Sequence, residues 1–184
     1  MVAPHVIAPD GVADLGAAMT TIRGIAANVP DPELVVVTVG DLGILRDVRV
    51  VDNQFVLDVT PTYSACPATL AIELEIETAV RNAGYDARAN RVLAPAWTTN
   101  WISDEGRAKL KASGIAPPAR NNNASGINSG KTGTDLGYFD VQIVACPRCD
   151  SERTSQLAAF GSTACKAQYR CDSCHEPFDY FKCL

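Results

Sequence analysis

The chain has 184 residues, 47% hydrophobic and 20% charged, with a net charge of −5. That balance fits a soluble globular protein of one domain plus a remainder, and excludes collagen-like and wholly disordered classes. The negative charge argues against a nucleic-acid partner. The longest apolar run, around Leu34–Val39, is far too short to cross a bilayer, so no membrane partner is expected. Met1–Gly11 offers neither a basic nor an apolar signal region, and a cytoplasmic location is expected.

Val12, Leu15, Met19, Ile22 and Ile25 recur at helical spacing and stop before Pro30, which predicts an amphipathic helix. Asp31-Pro32-Glu33 reads as a turn, and Leu34–Val39 as extended chain. The β-branched run Leu45–Val51, the turn pair Asp52-Asn53 and Phe55–Thr60 predict a β-hairpin. Thr60–Pro67 is a loop entering a second helix, with Pro67 in its first turn and Gly84 as its C-terminal stop. Ala87–Leu93 reads as a third strand, and Ser103 as the cap of a short helix, Asp104–Ala112. Residues 1–115 are thus expected to form a small α+β domain with helices packed on a sheet. Trp97–Trp101 is an aromatic-polar cluster, either core edge or docking surface.

Residues 116–137 are rich in Asn, Gly and Ser with almost nothing to bury, and predict a flexible linker. Residues 138–184 form a second module, with strands expected at Phe139–Val144, Ser155–Phe160 and Gln168–Tyr169. A module of this size is near the limit for a hydrophobic core alone, so a staple is expected.

Six of the seven cysteines lie in that tail. Cys146-Pro147-Arg148-Cys149 and Cys171-Asp172-Ser173-Cys174 each present two sulfurs on a tight knuckle. Four thiolates make a closed tetrahedral site suited to structural Zn²⁺, whose binding energy becomes folding energy. Iron in the same cage, as in rubredoxin, is the alternative. Cys171–His175 also spells the c-type haem motif, but the upstream cysteine pair accounts better for these thiols. Cys165 and Cys183 exceed a four-ligand site; they read as small apolar residues near the metal, or as thiols of a second site or with a redox role.

Cys66 precedes Pro67 at the predicted helix start, where the dipole and free N–H groups would favour a thiolate; the competing reading is an inert packing thiol. Asp31, Glu33 and Asp41 sit at turns from which they could converge on the Cys66 loop, or simply cap those turns. No nucleotide cradle and no Ser-His-Asp set is present.

Val29–Glu33, Asp41–Gly43, Thr60–Pro67 and Leu93–Thr99 resemble the iron–sulfur assembly domain related to SufT. With the two knuckles, Phe160–Lys166 and Glu176–Cys183, they resemble the PaaD (PaaJ) family associated with the multicomponent phenylacetyl-CoA epoxidase. His175 stands where the family pattern has glycine. The resemblance implies an accessory, non-catalytic subunit beside a di-iron oxygenase and an iron–sulfur reductase, with self-association left open. It implies a role in maturing or repairing an iron or iron–sulfur centre, with Cys66 the matching cysteine and Asp31, Glu33 and Thr62 lining the same loops. Transient iron or a cluster at Cys66 would follow. The alternative is a purely structural or regulatory zinc-binding component.

Overall fold

The structure, a computed structural model, describes residues 12–120 and 143–182. The Asn/Gly-rich stretch from Asn121 onward, most of the strand expected at Phe139–Val144, and Cys183 lie outside the described residues. The chain divides into two compact units between Ser113 and Gly114.

In the first unit, helix α1 (Val12–Ala27) buries Ile22 and Ala26. Strands β1 (Leu45–Val51) and β2 (Gln54–Val59) pair antiparallel, as the alternating pattern predicts. Asp52 and Asn53 join them with φ of 51° and 61°, the left-handed pair that two-residue hairpin turns need. Helix α2 (Thr69–Asn82) returns the chain to β3 (Ala87–Arg91), which lies parallel to β2, giving a three-stranded sheet of order β1-β2-β3. Phe55, Leu57 and Val59 share one sheet face by the two-residue period. Together with Ile72, Ile76 and Val80, repeating every fourth residue along α2, they supply buried core. On the opposite face, the Arg49 guanidinium donates to both Asp58 oxygens at 2.9 and 3.0 Å, and Asn90 donates to Oδ1 at 2.7 Å. Arg49 therefore holds the Asp58 carboxyl below its ordinary range.

Leu34–Val39 is a turn-rich loop rather than extended chain. The Asp31 carboxylate accepts the N–H groups of Glu33 and Leu34, both at 2.8 Å, and Val37 N–H closes a turn onto Leu34 C=O at 2.9 Å. Leu34, Val37 and Val39 point inward while Val35 and Val36 are exposed.

Asp41-Leu42-Gly43 clasps the segment from Trp97 to Ser103. Trp97 Nε1 donates to Leu42 C=O at 2.8 Å, and Ser103 N–H donates to Asp41 C=O at 2.8 Å. Gly43 has φ +66°, and a Cβ there would lie 2.5 Å from the Trp101 carbonyl oxygen, so no other residue fits. Trp97 is consequently core edge, 7% exposed, while the Arg46 guanidinium lies 3.3 Å above the Trp101 ring.

Helix α3 (Asp104–Ala112) begins where the sequence places it. The Ser103 hydroxyl accepts the Gly106 N–H at 2.9 Å, and Asp104 and Glu105 occupy the first turn. Ser103→Ala is expected to cost the first unit about 1 kcal/mol, read by urea denaturation. An unchanged midpoint would show that the cap contributes nothing.

The second unit is a small four-stranded sheet of order β4-β7-β6-β5. Strands β5 (Thr154–Ala158), β6 (Lys166–Cys171) and β7 (Pro177–Phe181) are antiparallel neighbours. Ile115 and Ala116, at the junction of the expected first domain and linker, form β4 and pair parallel to Asp179 and Tyr180. Ala116 is buried in the core of this unit with Val144, Ala167, Phe178, Tyr180 and the two cysteines Cys146 and Cys171.

Candidate functional site

The two cysteine knuckles of the second unit are built alike. Cys146 N–H donates to Ser151 C=O, and Cys171 N–H to Glu176 C=O, both at 2.9 Å and five residues on. The fourth residue after each of these cysteines has left-handed backbone: Asp150 at φ 58° and His175 at φ 61°. Left-handed backbone favours glycine, and histidine fills position 175 at a local conformational cost. The knuckles bring the four sulfurs of Cys146, Cys149, Cys171 and Cys174 within 4.8 Å of one another. The Cys146–Cys174 and Cys149–Cys171 pairs stand at 3.8 and 3.6 Å. A tetrahedron with metal–sulfur bonds of about 2.3 Å has edges of about 3.8 Å, so the donor set fits Zn²⁺. Cys146 and Cys171 are buried, and Cys149 and Cys174 are exposed. The N–H groups of Cys174 and Ser173 both point at Cys171 Sγ from 3.4 Å. The Cys174 N–H above all brings the Cys171 thiol down to about 6, the thiolate that a metal requires.

Cys165 stands apart from these four. It is buried just before β6, with its sulfur 3.0 Å from the Thr163 hydroxyl.

In the first unit, Asp31, Thr62 and Cys66 line one small cleft over an apolar floor that includes Ile44, Val59 and Ile72. Asp31 is only 6% exposed, yet it enters the cleft with a carboxylate half used. Its Oδ1 takes the two backbone N–H groups of Glu33 and Leu34, while Oδ2 accepts no hydrogen bond from a described residue. Burial raises the Asp31 carboxyl above its ordinary value, against the lowering pull of those two N–H groups.

Cys66 is half-buried in a turn ahead of α2. The helix begins at Thr69 rather than in the turn containing Pro67, with Ala68 at its N-cap and no side-chain cap. The Cys66 carbonyl accepts the Thr69 N–H at 3.2 Å and its hydroxyl at 2.9 Å. The chain thus turns at Cys66 before the helix starts, so a helix-terminus field is not what distinguishes this thiol.

Two expected acids do not line the cleft. Glu33 contributes its backbone N–H to Asp31. Asp41 points to the other end of its loop, where its Oδ2 accepts the Thr38 N–H and the Lys109 ammonium, both at 2.9 Å. One acid that sequence reading missed does line it: Glu73, on the exposed-to-buried border of α2. Its two oxygens receive Arg91 Nε and Nη2 at 2.8 and 3.0 Å. The only sequence signal was an acid in the first turns of the helix that follows Cys66.

The first unit thus sets a single thiol in one cleft with a buried carboxylate, and the second is a four-cysteine ribbon whose donor set fits zinc. Residues 20–92 match the family model described as iron–sulfur cluster assembly protein, and residues 134–182 the PaaD zinc beta ribbon domain. The chain is 42% identical over 164 residues to an Escherichia coli (strain K12) protein named as a subunit of 1,2-phenylacetyl-CoA epoxidase, covering 89% of this chain and 92% of that one. The chain belongs to the PaaD family of phenylacetyl-CoA epoxidase subunits.

Among solved structures it is similar to a domain of unknown function, DUF59, from Bacillus anthracis, at 24% identity and a TM-score of 0.48. That likeness covers 52% of this chain and 92% of that one. It is also similar to a Mycobacterium tuberculosis protein described as associated with Fe–S complex assembly and repair, at 32% identity and a TM-score of 0.29, covering 59% and 95%. Among the described residues, no helix is long and apolar enough to cross a membrane.

Proposed function

We propose that this chain is an accessory, non-catalytic subunit of phenylacetyl-CoA epoxidase that delivers iron, or an iron–sulfur unit, to a metal centre in a partner subunit. The observation that carries this reading is the cleft: one accessible thiol, Cys66, beside the buried, half-satisfied carboxylate of Asp31 and the hydroxyl-bearing Thr62. A resident cofactor is normally held by a full set of converging ligands. Among the described residues such a set, mutually within 4.8 Å, occurs at the ribbon and not in the cleft. An open, incomplete donor set suits a cargo that must leave again. Loading would displace the Cys66 thiol proton to solvent and transfer no electron.

Cys146, Cys149, Cys171 and Cys174 hold Zn²⁺ in this reading, and the ribbon serves as the docking module. The di-iron oxygenase subunit, the iron–sulfur reductase subunit, or both receive the cargo. The family match over residues 20–92 and the name of the Escherichia coli relative support the assignment.

The test is a strain lacking this subunit, complemented at equal protein level with wild type, Cys66→Ser or Cys66→Ala. Cys66→Ser keeps a small polar side chain, so folding should cost about 1 kcal/mol or less. Iron occupancy of the oxygenase and reductase, and phenylacetyl-CoA epoxidation in cells, should fall in both variants. Normal occupancy and activity with both would leave Cys66 as packing and the chain as a structural component of the complex.

A further inference from the structure

Strand β3 is an edge of the first unit's sheet, and its one strand neighbour among the described residues is β2. The parallel ladder decides which of its backbone groups face outward. Phe55 N–H donates to Asp86 C=O at 3.0 Å, and Val92 N–H to Val59 C=O at 2.8 Å. Between these bonds the groups alternate sides, so Arg88 and Asn90 face β2 while Ala87, Ala89 and Arg91 face away. A row of outward N–H and C=O groups is a template for another strand.

Helix α2 fills that template with side chains. Glu73, Glu77 and Arg81 follow one another every fourth residue, a rise of about 6.0 Å per step. Outward residues of a strand recur at every second position, about 6.6 Å apart, so the two rows keep register. Glu77 Oε1 accepts the Ala89 N–H at 2.9 Å, and Arg81 Nη2 donates to Ala87 C=O at 3.1 Å. Arg81 Nη2 also donates to Glu77 Oε2 at 2.7 Å, which joins the two contacts into one clasp. The ion pair of Glu73 with Arg91 continues the row, at 2.8 and 3.0 Å.

The strand that best fits this edge is β3 of a second copy. Run antiparallel about Ala89, two such strands set Ala89 against Ala89 and Ala87 against Arg91. All of these are outward residues, so each N–H of one copy meets a C=O of the other. The same register sets Arg88 against Asn90, and no like charges stand opposite.

We propose that the Glu77–Arg81 clasp, extended by Glu73, is an edge guard that keeps this chain from pairing with a second copy through β3. The guard acts by competition. A second strand must displace a carboxylate from the Ala89 N–H and a guanidinium from the Ala87 carbonyl, and such charge-assisted bonds outlast neutral ones. The role is independent of iron transfer.

The test follows the self-association of the full, zinc-loaded chain by sedimentation velocity over a range of concentrations. Glu77→Ala/Arg81→Ala keeps good helix formers on α2 and should tighten self-association about 10-fold or more. In dilute, monomeric protein its Ala89 amide should exchange with solvent about 10-fold faster than in wild type. Adding Ala89→Pro to that double variant should return association to the wild-type level. Proline deletes the central outward N–H, which the pairing with β2 does not use. Glu77→Gln, whose amide oxygen still accepts the Ala89 N–H, should behave as wild type. Each single alanine variant should shift association the same way by less, and circular dichroism checks the fold.

Association no tighter in the double or single alanine variants than in wild type would overturn the inference. So would association that survives Ala89→Pro, which would mark it as general stickiness rather than strand pairing. A wild-type dimer that Ala89→Pro alone splits would make β3 an open interface and not a guarded edge.

Discussion

Stripping the metal from the ribbon, or replacing Cys146 with serine, is expected to unfold residues 143–182 while residues 12–113 stay folded. The reason lies in what the second unit has to bury. One cluster of its core consists of Ala116, Val144, Cys146, Ala167, Cys171, Phe178 and Tyr180, with Tyr169 packed alongside, and Cys165 and Phe181 are buried besides. Two of the seven in that cluster are themselves knuckle cysteines, and two are alanines. Tyr169 stacks on Phe178 at 5.9 Å and meets Tyr180 edge-on at 5.6 Å, which is the main aromatic packing here. Such a core falls short of the entropy of ordering some forty residues, and small modules of this kind depend on a staple. Structural zinc supplies about 10 kcal/mol or more at neutral pH, enough to decide whether the unit folds. Chelation followed by two-dimensional amide NMR should therefore collapse the dispersed signals of β5, β6 and β7 and leave those of β1, β2 and β3 in place. A metal-free chain that keeps the dispersed signals of the ribbon would show that its apolar contacts suffice. Loss of both sets together would show instead that the two units share their stability.

How far the sequence could be read depends on whether each signal is local. The hairpin turn at Asp52-Asn53 was legible because both residues tolerate the left-handed backbone that the turn imposes. The Ser103 cap was legible because the hydroxyl acts within three residues. The four ribbon thiols were legible because the knuckle spacing itself carries the geometry. Leu34–Val39 misled for the opposite reason. Its apolar run has the composition of a strand, but Asp31 ties up the N–H groups of Glu33 and Leu34 and bends the chain into turns. Strand β7 went unread because it opens on Pro177, a residue tolerated at a strand's first position but not a strand signal. Strand β4 is two residues long and exists through a partner more than sixty residues away.

In the cleft, Cys66 and Asp31 stood out by residue type. Glu73 did not, because an acid on a surface helix is commonplace until the fold sets it against the same cavity. Asp41 went the other way: its turn position suggested convergence with Asp31, but Lys109 and the Thr38 N–H take its carboxylate.

Asp31→Asn is expected to make the protein more stable and the cleft nearly useless. Burial is the main influence on this carboxyl and raises its pKa, while the N–H groups of Leu34 and Glu33 pull it partway back. A carboxyl raised in the folded state favours folding through its protonated form. That contribution is complete below the unfolded value near 4 and is lost as the pH climbs through the folded pKa. At neutral pH the ionised group is thus a net cost to the fold. The asparagine amide keeps an oxygen to accept both N–H groups, so the turn survives, and the buried charge disappears. The gain should be about 1 kcal/mol, a rise of roughly 5 °C in the melting temperature at pH 7. The advantage should shrink to nothing as the pH falls below about 4, where wild-type Asp31 is itself neutral. If the cleft carries iron as proposed, uptake of Co²⁺, a spectroscopic stand-in for the ferrous ion, by the zinc-loaded chain should meanwhile weaken about 100-fold, roughly 2.7 kcal/mol, because a neutral amide replaces the buried anionic donor of the cleft. A charge retained at the expense of stability marks a group kept for binding. If Asp31→Asn melts lower than wild type at pH 7 and binds cobalt equally well, Asp31 is a turn-forming residue only, and the cleft has no claim on a cation.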